Sequence, residues 1–328
     1  MGFSEIIGQQ RPLEILRSAL GNGRLHHAYL FVGPEGVGKR TVALALARAL
    51  HCDEAPNDFC GGCAACARIQ NGNHPDVRVV EILAGKKEIS IQQVREVEKE
   101  LNFRSFSGKR KIAIIDPATL MNLSAQNALL KTLEEPPQDS LLILIAANAG
   151  GLLPTLRSRC LRLPFAPLAR DAVAGFLITN KGIDKEEARF LAAVSMGSLG
   201  AALRLDKEEF LERRRSWAEK VSSLTSGDYR AASEAAEAIA SNKEEALQFL
   251  EWAETWYRDL LIYAVTGSSA ETVNVDLLAQ IQSQSANGEV ERLLSTFAQT
   301  ARAAGRIQRN LNRRMVLESL FFNVVGGR

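Results

Sequence analysis

Residues 33–41 read Gly-Pro-Glu-Gly-Val-Gly-Lys-Arg-Thr, a phosphate-binding loop whose last defining position carries the wrong residue. The pattern G-x-x-x-x-G-K-S/T is met by Gly33, Gly38 and Lys39, with Gly36 as a further glycine inside the loop, and Arg40 stands where the hydroxyl belongs. Each position has its own task. The glycines let backbone N–H groups curl around phosphates, the lysine reaches the terminal phosphates, and the hydroxyl holds Mg²⁺. Phosphate binding is thus largely intact while metal handling is not. Thr41 lies one residue late, and a shifted hydroxyl is the one route left to the metal.

The surroundings of the loop constrain the fold. Ala28–Val32 (AYLFV) is a short apolar run entering the glycines, and 40–50 (RTVALALARAL) has helical composition and spacing. Further buried strands are predicted at 77–81, 111–115 and 141–147, with continuous apolar character that suits a parallel sheet covered on both faces. Helices are predicted at 90–101 and 124–135, each opened by a serine cap, Ser90 and Ser124. Pro136-Pro137 ends the second. After about residue 165 strand signals vanish, and all three tryptophans, Trp217, Trp252 and Trp256, fall in a helical C-terminal region.

With 328 residues the chain has room for two or three domains. A net charge of +2 is too small to argue for nucleic acid or membrane by itself. No apolar run approaches the about 18 residues a spanning helix needs, and MGFSEIIGQQ has no basic segment followed by an apolar stretch. The expectation is a cytoplasmic protein with no membrane partner.

Four of the five cysteines lie within 52–66. Cys52, Cys60, Cys63 and Cys66 form C-x7-C-x2-C-x2-C, which in a reducing compartment predicts a structural zinc site closed by four thiolates. His51 and His74 flank it and read as surface or capping residues.

Hydrolysis needs a metal-binding acid at a strand end and an adjacent glutamate to polarise water. The strand KIAII delivers Asp116, but the next residue is Pro117. Glu134 and Glu135, at the end of a helix, read as surface charge. The loop therefore binds nucleotide passively, binds it only within a complex, or is kept for packing. Ser158-Arg159-Cys160 closes a loop after the 141–147 strand. An arginine so displayed is either ordinary surface or one that serves a neighbouring subunit's phosphates.

In order, RLHHAYLFVGPEGVGKRT (24–41), the cysteine module, NALLKTLEEPP (127–137) and TLRSRC (155–160) make a specific set. Over residues 3–205 this resembles the clamp-loader branch of the AAA+ ATPases, and most its delta-prime type in bacterial DNA polymerase III. The resemblance implies an α/β AAA+ P-loop domain with a zinc module (1–165), a small helical lid (166–205) and an all-α collar (206–328). Gly33, Gly36, Gly38, Lys39, Arg40, Thr41 and Asp116 would face ATP or ADP, with Mg²⁺ in doubt. Cys52, Cys60, Cys63 and Cys66 would hold zinc, Arg159 would be an arginine finger acting in trans, and Asn148 lies near the sensor-1 region.

The departures select the type of subunit. Motor subunits carry Ser or Thr at position 40, Glu at 117, and an arginine in a G-S-x-R context where this chain has Gly197-Ser198-Leu199-Gly200. The resemblance thus implies a stator without catalysis of its own, within a nucleotidyltransferase holoenzyme. Its partners would be the gamma/tau motors and the delta subunit, and through the assembly the sliding clamp and primed DNA. The rival expectations are an autonomous ATPase using Lys39, Thr41 and Asp116, and a zinc-dependent scaffold that binds no nucleotide. Arg104, Lys109, Arg110 and Lys111 form a basic turn that is either solvated or bound to DNA. Arg302, Arg306, Arg309, Arg313 and Arg314 could line one helical face, while Ile307, Leu311, Met315, Leu317 and Leu320 are expected in a core or collar.

Overall fold

The computed structural model describes residues 2–286 and 289–326. The chain divides into two compact units, Met1–Leu203 and Arg204–Arg328. The first is α/β. Its elements are α1 (Gln10–Gly21), β1 (Ala28–Val32), α2 (Lys39–His51), α3 (Ala64–Gln70), β2 (Val77–Val80), α4 (Ile91–Asn102), β3 (Lys111–Ile115), α5 (Leu123–Glu134), β4 (Ser140–Ala146), α6 (Pro154–Arg157), β5 (Leu161–Pro164), α7 (Arg170–Lys181), α8 (Lys185–Val194) and α9 (Leu199–Arg204).

The five strands form one parallel sheet in the order β2-β3-β4-β1-β5. Every residue of β1 and β4 is buried, which only a sheet covered on both faces allows. The pleat then sorts their side chains by parity. Tyr29, Phe31, Leu141, Ile143 and Ile145 pack with Leu16 of α1 and Val42 and Leu46 of α2. Ala28, Leu30, Val32, Leu142 and Leu144 pack with Val94 of α4 and Leu129 of α5 on the other side.

The predicted strands are all present, two with the expected bounds and two with ends moved by one residue, as is usual for boundaries read from pattern. Glu81 falls just past β2 rather than inside it. The edge strand β5 was not anticipated, because LRLP buries only Leu163 and carries no apolar run to read. Ser90 caps α4 in a full capping box with Gln93. Ser124 caps nothing. Helix α5 starts earlier, at Leu123, and Asn122 is its cap, accepting from the Ala125 N–H at 2.9 Å.

The second unit is helical throughout its described residues: α10 (Lys207–Ser222), α11 (Tyr229–Ile239), α12 (Lys243–Thr266), α13 (Leu278–Ser285), α14 (Val290–Gln308) and α15 (Arg313–Val325), with one 3₁₀ turn before α13. Trp217, Trp252 and Trp256 pack in its core with Phe249 and Phe321, the rings of Trp252 and Trp256 stacked. Arg214 is buried there and paired with Asp276 and Asn274, each at 2.7 Å. Ile307, Leu317 and Leu320 are in this core as expected, but Leu311 and Met315 are exposed. Among the described residues no helix is long and apolar enough to cross a membrane.

Replacing a capping serine by alanine costs about 1 kcal/mol, whereas an exposed first-turn serine away from the cap changes stability by no more than about 0.5 kcal/mol. Ser90→Ala is expected to lower the urea midpoint of the full chain, followed by circular dichroism, and Ser124→Ala to leave it nearly unmoved. Equal losses would reject this assignment of the caps.

Candidate nucleotide site and cysteine cluster

Strand β1 delivers the chain to the carboxyl edge of the sheet, and α2 carries it away, so residues 33–38 turn tightly between them. A Cβ on Gly33 would lie 2.2 Å from the Phe165 carbonyl oxygen, so that backbone can approach only a glycine. Gly38, at φ 102°, is the left-handed residue from which α2 starts. The loop is braced from outside by the start of α9. Gly200 N–H donates to Gly36 O at 2.9 Å, and Ser198 Oγ donates to Glu35 O at 2.8 Å. The position that carries an arginine in motor-type sequences thus offers only a backbone donor, already directed at the loop.

Lys39 is 6% exposed and its Nζ donates to Gly33 O and Pro34 O. Burial lowers its pKa, with Asp116 and Glu35 pulling the other way. These features suit a loop that holds phosphate on backbone N–H groups at a helix N-terminus.

Arg40 points along the carboxyl edge of the sheet, past β4, to the ends of β3 and β2. Its Nη1 hydrogen-bonds Glu81 and lies 3.7 Å from Asp116 Oδ2. Glu81 follows β2 and Asp116 follows β3, so the two carboxylates end adjacent parallel strands. The hydrogen bond from Arg40 holds the Glu81 carboxyl below its usual range. Burial raises that of Asp116 despite Arg40 and Lys39. Glu81 was missed in the sequence because it reads as the last residue of an apolar strand; the available signal was its likeness to Asp116, an acid directly after such a run.

The family's Mg²⁺ does not fit these residues. It needs near-octahedral oxygen ligands, yet position 40 supplies a cation in place of a hydroxyl and Arg40 already holds the available carboxylates. Thr41 is exposed, one residue further round the helix. Asn148 follows β4, is exposed, and accepts from Gly150 N–H at 3.0 Å.

Arg159 lies at the other edge of the sheet. It precedes β5, whose Leu161 pairs with Tyr29 while Pro164 pairs with Val32 at the entrance to the loop. At about 3.3 Å per residue, β5 spans about 10 Å from Leu161 to Pro164, so Arg159, in the turn before it, starts from the edge opposite the P-loop. Arg159 is half-exposed, donates to Thr155 O at 2.8 Å and pairs with Glu134 at 2.6 Å. Glu134 is exposed surface charge, as expected, and it pairs with this arginine.

Cys52 follows α2, Cys60 follows a turn, and Cys63 is the N-cap of α3. The four Sγ atoms lie within 4.8 Å of one another. Backbone N–H groups of Ala55, Cys60, Gly62, Cys63 and Cys66 point at Sγ atoms of Cys52, Cys60 and Cys63 at 3.2–3.5 Å. Such donors stabilise thiolates, and four soft ligands with no open position suit a structural tetrahedral ion. The chemistry of this donor set fits zinc. Cys160 is a separate, buried cysteine whose thiol burial pushes up to about 12.

His51 and His74 are not on the surface. Both are buried, with ring centres 4.4 Å apart beside Asp76. Burial, the adjacent His74 and Lys109 bring His51 down to about 4. Asp76 accepts from Phe106 N–H, Ser107 N–H and two serine hydroxyls, tying the 105–107 loop to the sheet. The basic turn is partly spent on the same region. Lys109 donates to His51 O, Cys52 O and Asp53, and Lys111 lies 3.4 Å from Asp76. In the second unit Arg313 donates to Ala240 O and Ser241 O, and Arg314 pairs with Glu237 and Glu318. Arg302, Arg306 and Arg309 remain exposed.

The family model described as DNA polymerase III, delta subunit, matches residues 8–169, and that for its C terminal matches 208–325. DNA polymerase III subunit delta' of Bacillus subtilis is 36% identical over 207 residues, 63% of this chain and 62% of the relative. Subunit tau of the same organism is 37% identical over 186 residues, 56% of this chain and 32% of tau. The match thus spans less than two thirds of either Bacillus protein. Subunit delta' of Pseudomonas aeruginosa is 34% identical over 316 residues, 94% of each chain. Matched over nearly its whole length in this way, the chain belongs to the DNA polymerase III delta' subunit family.

Proposed function

We propose that this chain is a clamp-loader subunit that hydrolyses no ATP itself and lends Arg159 to the nucleotide of an adjacent motor subunit. The observation that carries this reading is the opposition of two arginines. Arg40 occupies the cation position of the chain's own site, while Arg159 stands at the far edge of the sheet, out of reach of that site. An arginine there can serve another molecule's phosphates but not those of its own site.

On this reading the P-loop binds ATP or ADP passively through Gly33, Gly36, Gly38 and Lys39. Residues 1–165 act as the nucleotide-binding-like domain, 166–205 as a lid, and 206–328 as a collar that joins gamma/tau and delta subunits. The assembly works in the cytoplasm, placing a sliding clamp on primed DNA. Cys52, Cys60, Cys63 and Cys66 hold one structural zinc that fixes the excursion between α2 and α3; its role is folding energy rather than catalysis.

Arg159 can change partners at little cost. An exposed pair such as Arg159–Glu134 contributes about 0–1 kcal/mol, far less than a guanidinium gains on charge developing at a transferring phosphoryl group. Glu134 therefore parks the side chain without trapping it.

Arg159→Ala is expected to lower ATP turnover of the loader reconstituted with its motor subunits on the order of 10³-fold, with the complex still assembling on gel filtration. Turnover within a few-fold of the unmodified complex would overturn the assignment, as would brisk hydrolysis by the isolated chain. Native mass spectrometry is expected to find one zinc per chain. The double variant Cys60→Ser/Cys63→Ser should lose it and melt lower by on the order of 5–10 °C.

A further inference from the structure

We propose that Arg40 is a built-in counter-cation, so that the P-loop takes the polyphosphate of a nucleoside di- or triphosphate free of magnesium. The inference rests on the passive nucleotide binding proposed above and specifies the ligand's form. In an ordinary site the metal bridges a protein oxygen and the phosphate oxygens, cancelling part of the phosphate charge. Here the bridging position is filled by the chain. Arg40 leaves the first turn of α2, next to Lys39, and its Nη1 contacts Glu81 and approaches Asp116.

Two consequences follow from charge and geometry. A divalent ion at Asp116 would sit within a few ångströms of a permanently charged guanidinium and lose to it, because like charges repel and no hydroxyl completes the shell. The guanidinium, a planar fork of five N–H donors, can keep the carboxylates on one edge and present another to a phosphate oxygen. The pocket thereby gains the counter-charge that retains a nucleotide and forgoes the mobile Lewis acid that would help to split it. Glu81 takes the part of anchor. It is half-exposed and holds the guanidinium at the strand ends instead of leaving it to solvent.

The test uses the full chain and a fluorescent ADP analogue, titrated in excess EDTA and in excess Mg²⁺. The unmodified protein is expected to bind with dissociation constants that agree within about 3-fold in the two buffers. Arg40→Thr, which restores the hydroxyl and frees Asp116 and Glu81, should bind at least about 10-fold more tightly with Mg²⁺ than without. Arg40→Ala should lose about 10-fold in EDTA. Circular dichroism and melting temperature of both variants check that the half-exposed site tolerates the change. If Mg²⁺ tightens binding by the unmodified chain about 10-fold or more, the built-in cation is wrong while passive binding stands. Indifference of Arg40→Thr to Mg²⁺ also overturns it. No saturable binding in either buffer removes passive nucleotide binding and this inference together, and leaves the role of Arg159 intact.

Discussion

The placement of β1 between β4 and β5 is the constraint on which the rest of the first unit depends. A parallel strand buried on both faces has no freedom of register, since a slip by one residue exchanges the two apolar layers that Tyr29 and Phe31, and Ala28 and Leu30, serve. With that register fixed, all strand ends that matter fall on one edge. The glycine loop leaves β1 there, and Glu81 and Asp116 end β2 and β3 on the same edge. The same register sends the segment before β5, with Arg159, to the opposite edge. One packing decision thus separates the two arginines.

Around this frame the loop is held by fixed parts: Arg40 lies at the carboxylates, Gly200 N–H is bonded to Gly36 O, and the residue after Asp116 is a proline with neither side-chain base nor N–H donor. The long excursion between α2 and α3 is drawn together by four sulfurs and buttressed by Lys109 on His51 and Cys52 carbonyls.

The sheet, the loop and the cysteine set were legible in the sequence because each depends on local pattern: apolar runs, glycine spacing and thiol spacing. The misses were of another kind. Asn122 displaced Ser124 as the cap of α5 because both are good caps and only packing of the helix chooses between them. β5 was invisible because its strand character comes from pairing with β1 and hardly from its own residues. His51 and His74 read as surface or capping residues and are buried, since the loop tied to Asp76 closes over them. Of the residues expected in a core or collar, Leu311 and Met315 are exposed in this chain, outside its core.

Sequence alone determined that the P-loop lacks its hydroxyl, that a proline follows Asp116, and that four thiols lie close enough along the chain to share one ion. These are properties of residue type and spacing, fixed before any folding. Only the tertiary structure decided what Arg40 does, because Glu81 lies 41 residues away in the chain and reaches the guanidinium from the end of β2, a strand separated from β1 by β3 and β4. It alone also decided that Arg159 rests on Glu134 at the far edge of the sheet. The physical reason is common to both: a charged side chain takes its meaning from the partner that the fold brings to it, and parallel strands bring partners from distant parts of the chain.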